Sequence, residues 1–277
     1  MIRSVALPSG ETVPQLGQGT WRMGERPAGR AQETRAIRAG IELGMTLIDT
    51  AEMYGEGETE SWLGEALGGV REQVFLVSKA YPQNATRARL PLACEASLKR
   101  LRTDRLDLYL LHWRGGARLG ETVEAMQALQ QAGKIRHWGV SNLDLEDMQE
   151  LTDAGGGACA TDQVLYNLGR RGAEFDLLPW LERRGMPAMA YTPMEPARLA
   201  RAPALQELAR GRGVQPLQIA LAWVLRRPGV IAIPKASSVE HVRQNRAAAD
   251  LGLTAEELAR LDAAFPPPAR KRPLEMI

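Results

Sequence analysis

Four side chains with complementary acid–base chemistry lie at or just beyond the ends of three strand-like segments. Asp49 lies one residue before the end of the segment 46–50, Lys79 follows the segment 74–78, and His112 closes the segment 106–112. Tyr54 lies five positions after Asp49 in a loop rich in Gly and Glu. In a parallel barrel the carboxyl ends of the strands share the catalytic face. The set suits protonation of a carbonyl oxygen, with Tyr54 as the acid and the lysine cation lowering its pKa.

Each of these residues could also have a purely structural role that involves no catalysis. Asp49 and Lys79 could form an ion pair at a barrel rim. Tyr54 could be a loop aromatic, and His112 a histidine satisfied at a strand end. Because the four complementary groups follow successive strands in the same way, the pattern favours a site.

The elements that must position these groups recur regularly along the chain. Strand-like apolar segments alternate with segments of helical period, and together they predict an α/β fold, a (β/α)8 TIM barrel. The predicted strands are 16–20, 46–50, 74–78, 106–112, 135–141, 160–164, 186–191 and 230–234. We expect residues 1–277 to form a single domain.

Three further elements are predicted outside the barrel repeat. Segments 3–7 and 11–13 read as a β-hairpin around Ser9 and Gly10, placed to close the bottom of the barrel. Two additional helices are predicted, at 202–210 and at 254–264. The second of these opens with a capping box, Thr254-x-x-Glu257.

Composition excludes several classes of function. The chain has 277 residues, with 35 basic and 33 acidic side chains and a net charge of +2, which predicts no nucleic-acid or membrane partner. Cys94 and Cys159 are far apart and read as reduced thiols. No segment resembles a signal peptide or a membrane span. The three histidines have no metal-ligand spacing. We therefore expect a cytoplasmic monomer without a metal site.

Two glycine patterns do not complete a nucleotide-binding motif. Gly17-x-Gly19 and Gly55-x-Gly57 both lack the third glycine of GxGxxG, and no GxxxxGK[ST] is present. If the protein uses a dinucleotide, it must bind it by another route.

The ordered motifs resemble those of the aldo-keto reductases from Leu16 to Asn245. The matching segments are LGQGTW (16–21), GMTLIDTAEMYGEGETE (44–60), LVSK (76–79), DLYLLHW (107–113), GVSN (139–142), Gln163, YTPM (191–194) and IPKASS (233–238). The resemblance implies an NAD(P)H-dependent oxidoreductase that reduces aldehydes or ketones to alcohols.

The same resemblance implies a role for each catalytic candidate. Tyr54 would protonate the carbonyl oxygen as hydride arrives. Lys79, held by Asp49, would depress the pKa of Tyr54, and His112 would orient the carbonyl. An ordinary phenol with a pKa near 10 needs to be lowered by about 2 to 3 units to serve well near neutral pH, and a buried ammonium supplies an effect of that order.

The resemblance also implies a cofactor site. Ser141, Asn142 and Gln163 would bind the nicotinamide carboxamide, and Tyr191 would stack on the ring. Taken without this context, Ser141 and Asn142 read as a helix N-cap and Tyr191 as a rim aromatic. The remaining candidates in the matching segments are Thr192, Met194, Lys235, Ala236, Ser237, Ser238, His241, Gln244 and Asn245.

Lys235 is expected to select the phosphorylated cofactor. It would pair with the adenosine 2′-phosphate, aided by the hydroxyls of Ser237 and Ser238 and a helix N-terminus. Two positions depart from the commoner family pattern, because Ala236 replaces a serine and His241 an arginine. We therefore expect NADPH as the cofactor, with weaker use of NADH possible.

The substrate pocket is predicted from residues near the strand ends. Trp21, Met53, Tyr81 and Trp113 would form an apolar, aromatic slot. The loop at 113–120 is short and the chain ends soon after the last helix, so we expect an open, permissive pocket. The tail from residue 266 is expected to be loosely ordered. The chain is most similar to small bacterial members that reduce methylglyoxal-like and other short or aromatic aldehydes.

Two other functions remain open at this point. The fold could serve as a non-catalytic, cofactor-sensing subunit of a larger assembly. Alternatively, Lys79 could form a Schiff base with a carbonyl substrate in a lyase, which borohydride trapping would reveal. The cofactor motifs argue against the lyase, because Schiff-base chemistry needs no dinucleotide.

Overall fold

The computed structural model describes residues 2–277, and its central feature is a sheet of eight parallel strands in chain order. After the two strands of an N-terminal hairpin, β1 and β2, the sheet strands are numbered β3 to β10. They are β3 (Gln18–Gly19), β4 (Leu47–Asp49), β5 (Phe75–Ala80), β6 (Leu106–Leu111), β7 (Ile135–Ser141), β8 (Asp162–Leu165), β9 (Ala188–Tyr191) and β10 (Val230–Ala232).

Backbone hydrogen bonds join the first and last strands of this sheet. Parallel bridges pair Leu16 with Ala232 and Gly19 with Lys235. The Gly17 amide donates to the Ala232 carbonyl at 2.8 Å, so the sheet closes on itself. The predicted (β/α)8 barrel is confirmed.

Helices follow the strands and cover the outside of the barrel. Eight of them alternate with the strands: α1 (Pro27–Glu42), α2 (Glu58–Ala66), α3 (Leu90–Leu101), α4 (Leu119–Gln131), α5 (Leu145–Asp153), α6 (Leu177–Arg183), α9 (Pro216–Leu225) and α10 (Val239–Ala248). The two predicted additional helices are present as α8 (Pro203–Arg212) and α11 (Ala255–Ala264), and the Thr254–Glu257 capping box forms. A short helix, α7 (Pro196–Leu199), was not predicted.

The predicted hairpin closes the amino-terminal end of the barrel. Strands β1 (Ser4–Ala6) and β2 (Thr12–Pro14) pair in antiparallel register. Val5 and Val13 are buried in the same apolar cluster as Leu47 and Phe75, which begin β4 and β5. The hairpin therefore packs against the bottom layer of the barrel interior.

The first barrel strand is shorter than the predicted segment 16–20, and two glycines in that segment bring the backbone close to its neighbours. A Cβ on Gly17 would lie 2.7 Å from the side chain and carbonyl of Leu47. A Cβ on Gly19 would lie 2.7 Å from the Ile233 carbonyl. These glycines thus serve close strand packing rather than phosphate binding.

Within residues 2–277, no helix is long and apolar enough to cross a membrane.

Candidate active site

Strand alternation brings the predicted catalytic groups to one end of the barrel interior. Side chains two residues apart on a strand share a face. Leu47, Val77 and Leu110 all lie in the inner apolar cluster, so the residues two positions further on also point inward. Those residues are Asp49, Lys79 and His112, which follow at the carboxyl ends of β4, β5 and β6.

Lys79 is the centre of a buried polar cluster. Its side chain is fully buried, and its Nζ donates to Asp49 Oδ2 at 2.8 Å and to the Thr50 carbonyl at 2.8 Å. The same Nζ lies 3.2 Å from the Tyr54 hydroxyl. The structure therefore joins the predicted acid, its cationic neighbour and the carboxylate in one contact chain.

The loop that carries Tyr54 is held by backbone geometry and by a buried glutamate. Gly57 has φ of +94°, and a Cβ there would lie 2.7 Å from Arg100 Cδ. Glu60 is fully buried and accepts hydrogen bonds from the Ser78 hydroxyl at 2.6 Å and from Arg100 Nε at 2.6 Å. Since Ser78 precedes Lys79, these contacts fix the loop relative to the strand that carries the lysine.

The direction of the Tyr54 pKa shift differs from the prediction. Burial has the largest effect and raises the pKa of Tyr54 above its ordinary value, and Asp49 raises it further. Lys79 opposes this shift without reversing it. The phenol is therefore held in its protonated form, the form in which it can donate.

The lysine is held as a cation. Burial alone lowers the pKa of Lys79, but the nearby Asp49 carboxylate and the Tyr54 hydroxyl outweigh burial, and the net shift is upward. A Schiff base requires a neutral, accessible amine, whereas Lys79 is fully buried and ion-paired. The lyase alternative is not favoured.

His112 is held as a neutral imidazole. Burial, and then the charge of Lys79, lower the pKa of His112 to about 2. Its Nδ1 is buried without a hydrogen-bond partner, and its ring lies edge-on to that of Tyr54, with centroids 6.1 Å apart. A neutral ring beside Tyr54 can orient a carbonyl oxygen without adding positive charge.

The predicted nicotinamide-binding groups lie together beside the catalytic cluster. Asn142 donates to the Ser141 hydroxyl at 3.0 Å and accepts from the Tyr191 hydroxyl at 3.0 Å. Gln163 donates to Asp49 Oδ1 at 2.8 Å, a link that sequence reasoning did not predict. This amide ties the predicted cofactor site to the Asp49–Lys79 pair.

These groups surround a cavity of about 560 Å³ at the carboxyl end of the barrel. The cavity is lined by Gly19, Thr20, Trp21, Asp49, Met53, Tyr54, His112, Trp113, Ser141, Asn142, Gln163, Tyr191, Thr192, Ile233, Lys235, Met276 and Ile277. A volume of this size is ordinary for a small-molecule site.

Three of the four predicted substrate residues line this cavity. Trp21, Met53 and Trp113 do so, and Trp21 is half exposed. Tyr81 is not among the lining residues, and its ring packs edge-on against Trp113 with centroids 6.0 Å apart. Tyr81 therefore supports the aromatic wall rather than forming it.

The chain end contributes two lining residues that sequence reasoning missed. Met276 and Ile277 lie at the cavity, although we expected a loosely ordered tail and an open pocket. The tail runs back to the barrel, where Leu274 packs against the core. No local sequence pattern signals this contact, because it depends on where distant strands end.

The predicted phosphate site lies around the start of α10. Lys235 is exposed, lines the cavity and has no ion-pair partner among residues 2–277. Ser238 caps α10 by accepting from the His241 amide at 3.3 Å, and His241 is exposed. The hydroxyl of Ser237 is 3.3 Å from Glu33 Oε1, so an acidic side chain reaches into this region.

The remaining predicted cofactor residues differ in burial and in hydrogen bonding. Asn245 is buried and its Nδ2 has no partner, whereas the Gln244 side chain donates to Glu240 at 2.9 Å. Ala236 is buried, and Met194 packs against the core beside Thr192, which lines the cavity. A free cation, a capped helix N-terminus and an unpartnered amide fit an adenosine phosphate.

No group of three or more His, Cys, Asp or Glu side chains within residues 2–277 is placed to hold a metal ion.

A barrel with a buried phenol, ammonium and carboxylate beside a cavity at its carboxyl end is typical of an enzyme, and the three groups suit protonation of a carbonyl oxygen. The model of the aldo/keto reductase family matches residues 15–265. The chain is 54% identical over 272 residues to methylglyoxal reductase YeaE of Escherichia coli, covering 96% of each chain. It is 30% identical over 261 residues to a glyoxal reductase of Bacillus subtilis, covering 94% of this chain and 92% of the relative.

A solved structure agrees with these relationships. An aldo/keto reductase from Klebsiella pneumoniae in complex with NADP and acetate superposes with a TM-score of 0.97 at 53% identity, covering 100% of both chains. The chain belongs to the aldo/keto reductase family, and the predicted class of carbonyl-reducing oxidoreductase is confirmed.

Proposed function

We propose that the protein reduces small aldehydes and 2-oxoaldehydes of the methylglyoxal type to alcohols, with NADPH as the hydride donor. The observation that carries this proposal is the contact chain from Asp49 through Lys79 to the Tyr54 hydroxyl at the cavity. The similarity to a methylglyoxal reductase and to an NADP-bound structure supports the substrate class and the cofactor.

Each residue has a distinct part in the proposed reaction. When bound, NADPH supplies the hydride to the carbonyl carbon. Tyr54 remains protonated and donates its proton to the carbonyl oxygen. The Lys79 cation, 3.2 Å from the Tyr54 hydroxyl, stabilises the phenolate that is left behind. His112, as a neutral imidazole, orients the carbonyl oxygen towards Tyr54.

The cofactor would be held by the polar groups on the other side of the cavity. Ser141, Asn142 and Gln163 supply hydroxyl and amide groups suited to a carboxamide. Tyr191 offers a ring face, and Lys235 offers an unpaired cation for the 2′-phosphate. The non-catalytic, cofactor-sensing alternative is not favoured, because the relatives that the chain resembles are named as reductases.

The site also suits a compact substrate. Its lining combines three apolar side chains, Trp21, Met53 and Trp113, with the polar floor at Tyr54 and His112. A short 2-oxoaldehyde places one carbonyl at that floor and leaves little apolar surface exposed. We infer a preference for aldehydes over bulky ketones, since a second large substituent would meet the aromatic wall.

The experiment is a panel of aldehydes and 2-oxoaldehydes assayed by NADPH oxidation, with Tyr54→Phe as the test variant. Removing the general acid should lower kcat by roughly 10²- to 10⁴-fold. The dissociation constant for NADPH should change by less than about twofold, because the hydroxyl acts chiefly in the transition state.

Tyr81→Phe is the matched control, because Tyr81 lies outside the cavity lining and packs behind Trp113. Its kcat should remain close to that of the native enzyme. A Tyr54→Phe variant that keeps near-native kcat would remove Tyr54 from the acid role.

A further inference from the structure

One arginine bridges carboxylates from two separate segments of the chain. Arg170 Nη1 donates to Glu275 Oε1 at 2.6 Å. Its Nη2 donates to Glu195 Oε1 at 3.0 Å, and its Nε lies 3.3 Å from Glu195 Oε2. Glu195 follows β9, whereas Glu275 lies in the C-terminal tail.

The Glu195 end of this bridge belongs to a segment with an uncommon backbone. Thr192 has φ of +48° and Glu195 has φ of +38°, both in the left-handed region. Asn167 is fully buried and donates to the Thr192 carbonyl at 3.0 Å and to Glu195 Oε2 at 3.3 Å. Residues that hold such a backbone must be supported by their surroundings, and here the support comes from Asn167 and Arg170.

The Glu275 end of the bridge holds the part of the tail that reaches the cavity. Glu275 directly precedes Met276 and Ile277, which both line the cavity. Other tethers act earlier in the tail, where Lys271 pairs with Glu146 and lies 3.7 Å from Asp176. Among the described residues, the Arg170–Glu275 pair is therefore the last ionic contact of the tail before Met276 and Ile277 reach the cavity.

We propose that Arg170 is a positioning residue that holds the tail against the substrate cavity and couples it to the Thr192 segment. This inference rests on the proposed carbonyl reduction. Met276 and Ile277 then provide an apolar wall for substrates whose side group extends beyond the aromatic slot. The smallest dicarbonyl compounds would not reach that wall.

The chemistry of the bridge favours this role. A guanidinium presents its donors in a planar fork, so one arginine can serve two carboxylates in a fixed geometry. Side-chain exposure is 28% for Arg170, 15% for Glu195 and 45% for Glu275, so the tail end of the bridge is the more easily released.

The test compares Glu275→Gln, Arg170→Gln and the double variant with Arg198→Gln as control. Arg198 also faces Glu195, at 4.0 Å, but does not contact Glu275. For an aldehyde with a phenyl group, both single variants should raise KM by roughly three- to tenfold with kcat retained. For methylglyoxal the change should be less than about twofold, and Arg198→Gln should match the native enzyme.

The double variant and hydrogen exchange complete the test. Because both changes break one bridge, the double variant should raise KM little beyond Arg170→Gln alone. Amide exchange in residues 266–277 should be faster in both single variants and unchanged in Arg198→Gln.

Hydrogen exchange does not depend on turnover, so it tests the Arg170 tether even if the protein reduces no carbonyl compound. Absence of carbonyl reduction would reject the proposed function and leave the result on the tether intact. Unchanged exchange in Glu275→Gln, or equal KM changes for both aldehydes, would overturn the positioning role of Arg170.

Discussion

Replacing Lys79 by methionine removes the cation at the centre of the site and leaves its partner carboxylate buried. The native ammonium is fully buried, and it donates to Asp49 and to the Thr50 carbonyl, both at 2.8 Å. In Lys79→Met, Asp49 keeps only the hydrogen bond from Gln163, also at 2.8 Å. Burial already raises the pKa of Asp49, so its lone carboxylate is costly to keep charged.

The loss of stability can be bounded from these contacts. Removing one partner of a buried ion pair costs about 3–5 kcal/mol. For a protein of this size, each kcal/mol shifts Tm by roughly 2–4 °C, so Tm should fall by roughly 6–20 °C. The sign of the pH dependence of this stability loss follows from Asp49. Once its cationic partner is gone, the buried Asp49 carboxyl group favours the protonated, neutral form. The deficit should therefore shrink as pH falls towards the ordinary aspartate pKa of about 4.

Chemical denaturation of three variants tests the reasoning. Asp49→Asn with Lys79→Met removes the isolated charge and should recover part of the lost stability. Lys99→Met is the matched control, because Lys99 is exposed on α3, and its free energy of unfolding should stay within about 0.5 kcal/mol of the native value. If the single and double variants are equally unstable, isolation of the Asp49 charge is not the cause.

The same variant separates stability from catalysis. Lys79→Met should lower kcat strongly at a temperature where it remains folded, because the Tyr54 phenolate loses its cationic neighbour at 3.2 Å. NADPH binding, followed by tryptophan fluorescence, should be nearly unchanged, since Lys79 does not line the cavity.

Three further outcomes are expected. Lys235→Ala should raise the dissociation constant for NADPH by roughly ten- to a hundredfold, because a charge-assisted contact to the 2′-phosphate is lost. The dissociation constant for NADH should change little, and equal losses of affinity for both cofactors would contradict the assignment of Lys235 to the 2′-phosphate. Glu33→Gln should tighten NADPH binding by roughly three- to tenfold relative to NADH binding, since Glu33 reaches Ser237 at 3.3 Å and its charge would repel a phosphate there. Calorimetric titration of both cofactors measures this ratio of affinities. An unchanged ratio would place the phosphate elsewhere. The pKa of His112 is lowered to about 2, so the unfolded chain binds a proton below about 6.5 that the folded chain does not, and stability should fall with pH. Between pH 7.5 and pH 5, this histidine should lower the free energy of unfolding by about 2 kcal/mol. The loss should be absent from His112→Gln and retained in His241→Gln. Identical pH slopes of stability in the native protein and both variants would refute a neutral, buried imidazole at His112.

Much of the site could be predicted from the sequence because strand periodicity is local. A side chain two residues beyond a buried inward residue must also point inward, so Asp49, Lys79 and His112 could be placed on the barrel face before their neighbours were known. The same regularity predicted the eight strands, and the turn at Ser9 and Gly10 predicted the hairpin beneath them. Order and spacing of the short motifs were enough to indicate the family.

Only the tertiary structure decided the features that depend on distant segments meeting. The contact of Gln163 with Asp49, the bridge from Arg170 to Glu275 and the placement of Met276 and Ile277 at the cavity each join residues far apart in the chain. No local pattern specifies such pairs, because they depend on how the closed barrel brings its strand ends together.

The protonation state of Tyr54 was decided in the same way. The sequence names Lys79 as a cation beside Tyr54, and this alone predicts a lowered pKa. The packed structure adds burial, whose effect on Tyr54 is larger and opposite in sign. Residue types therefore determine which charges are available, whereas the fold determines how much water is removed from around them.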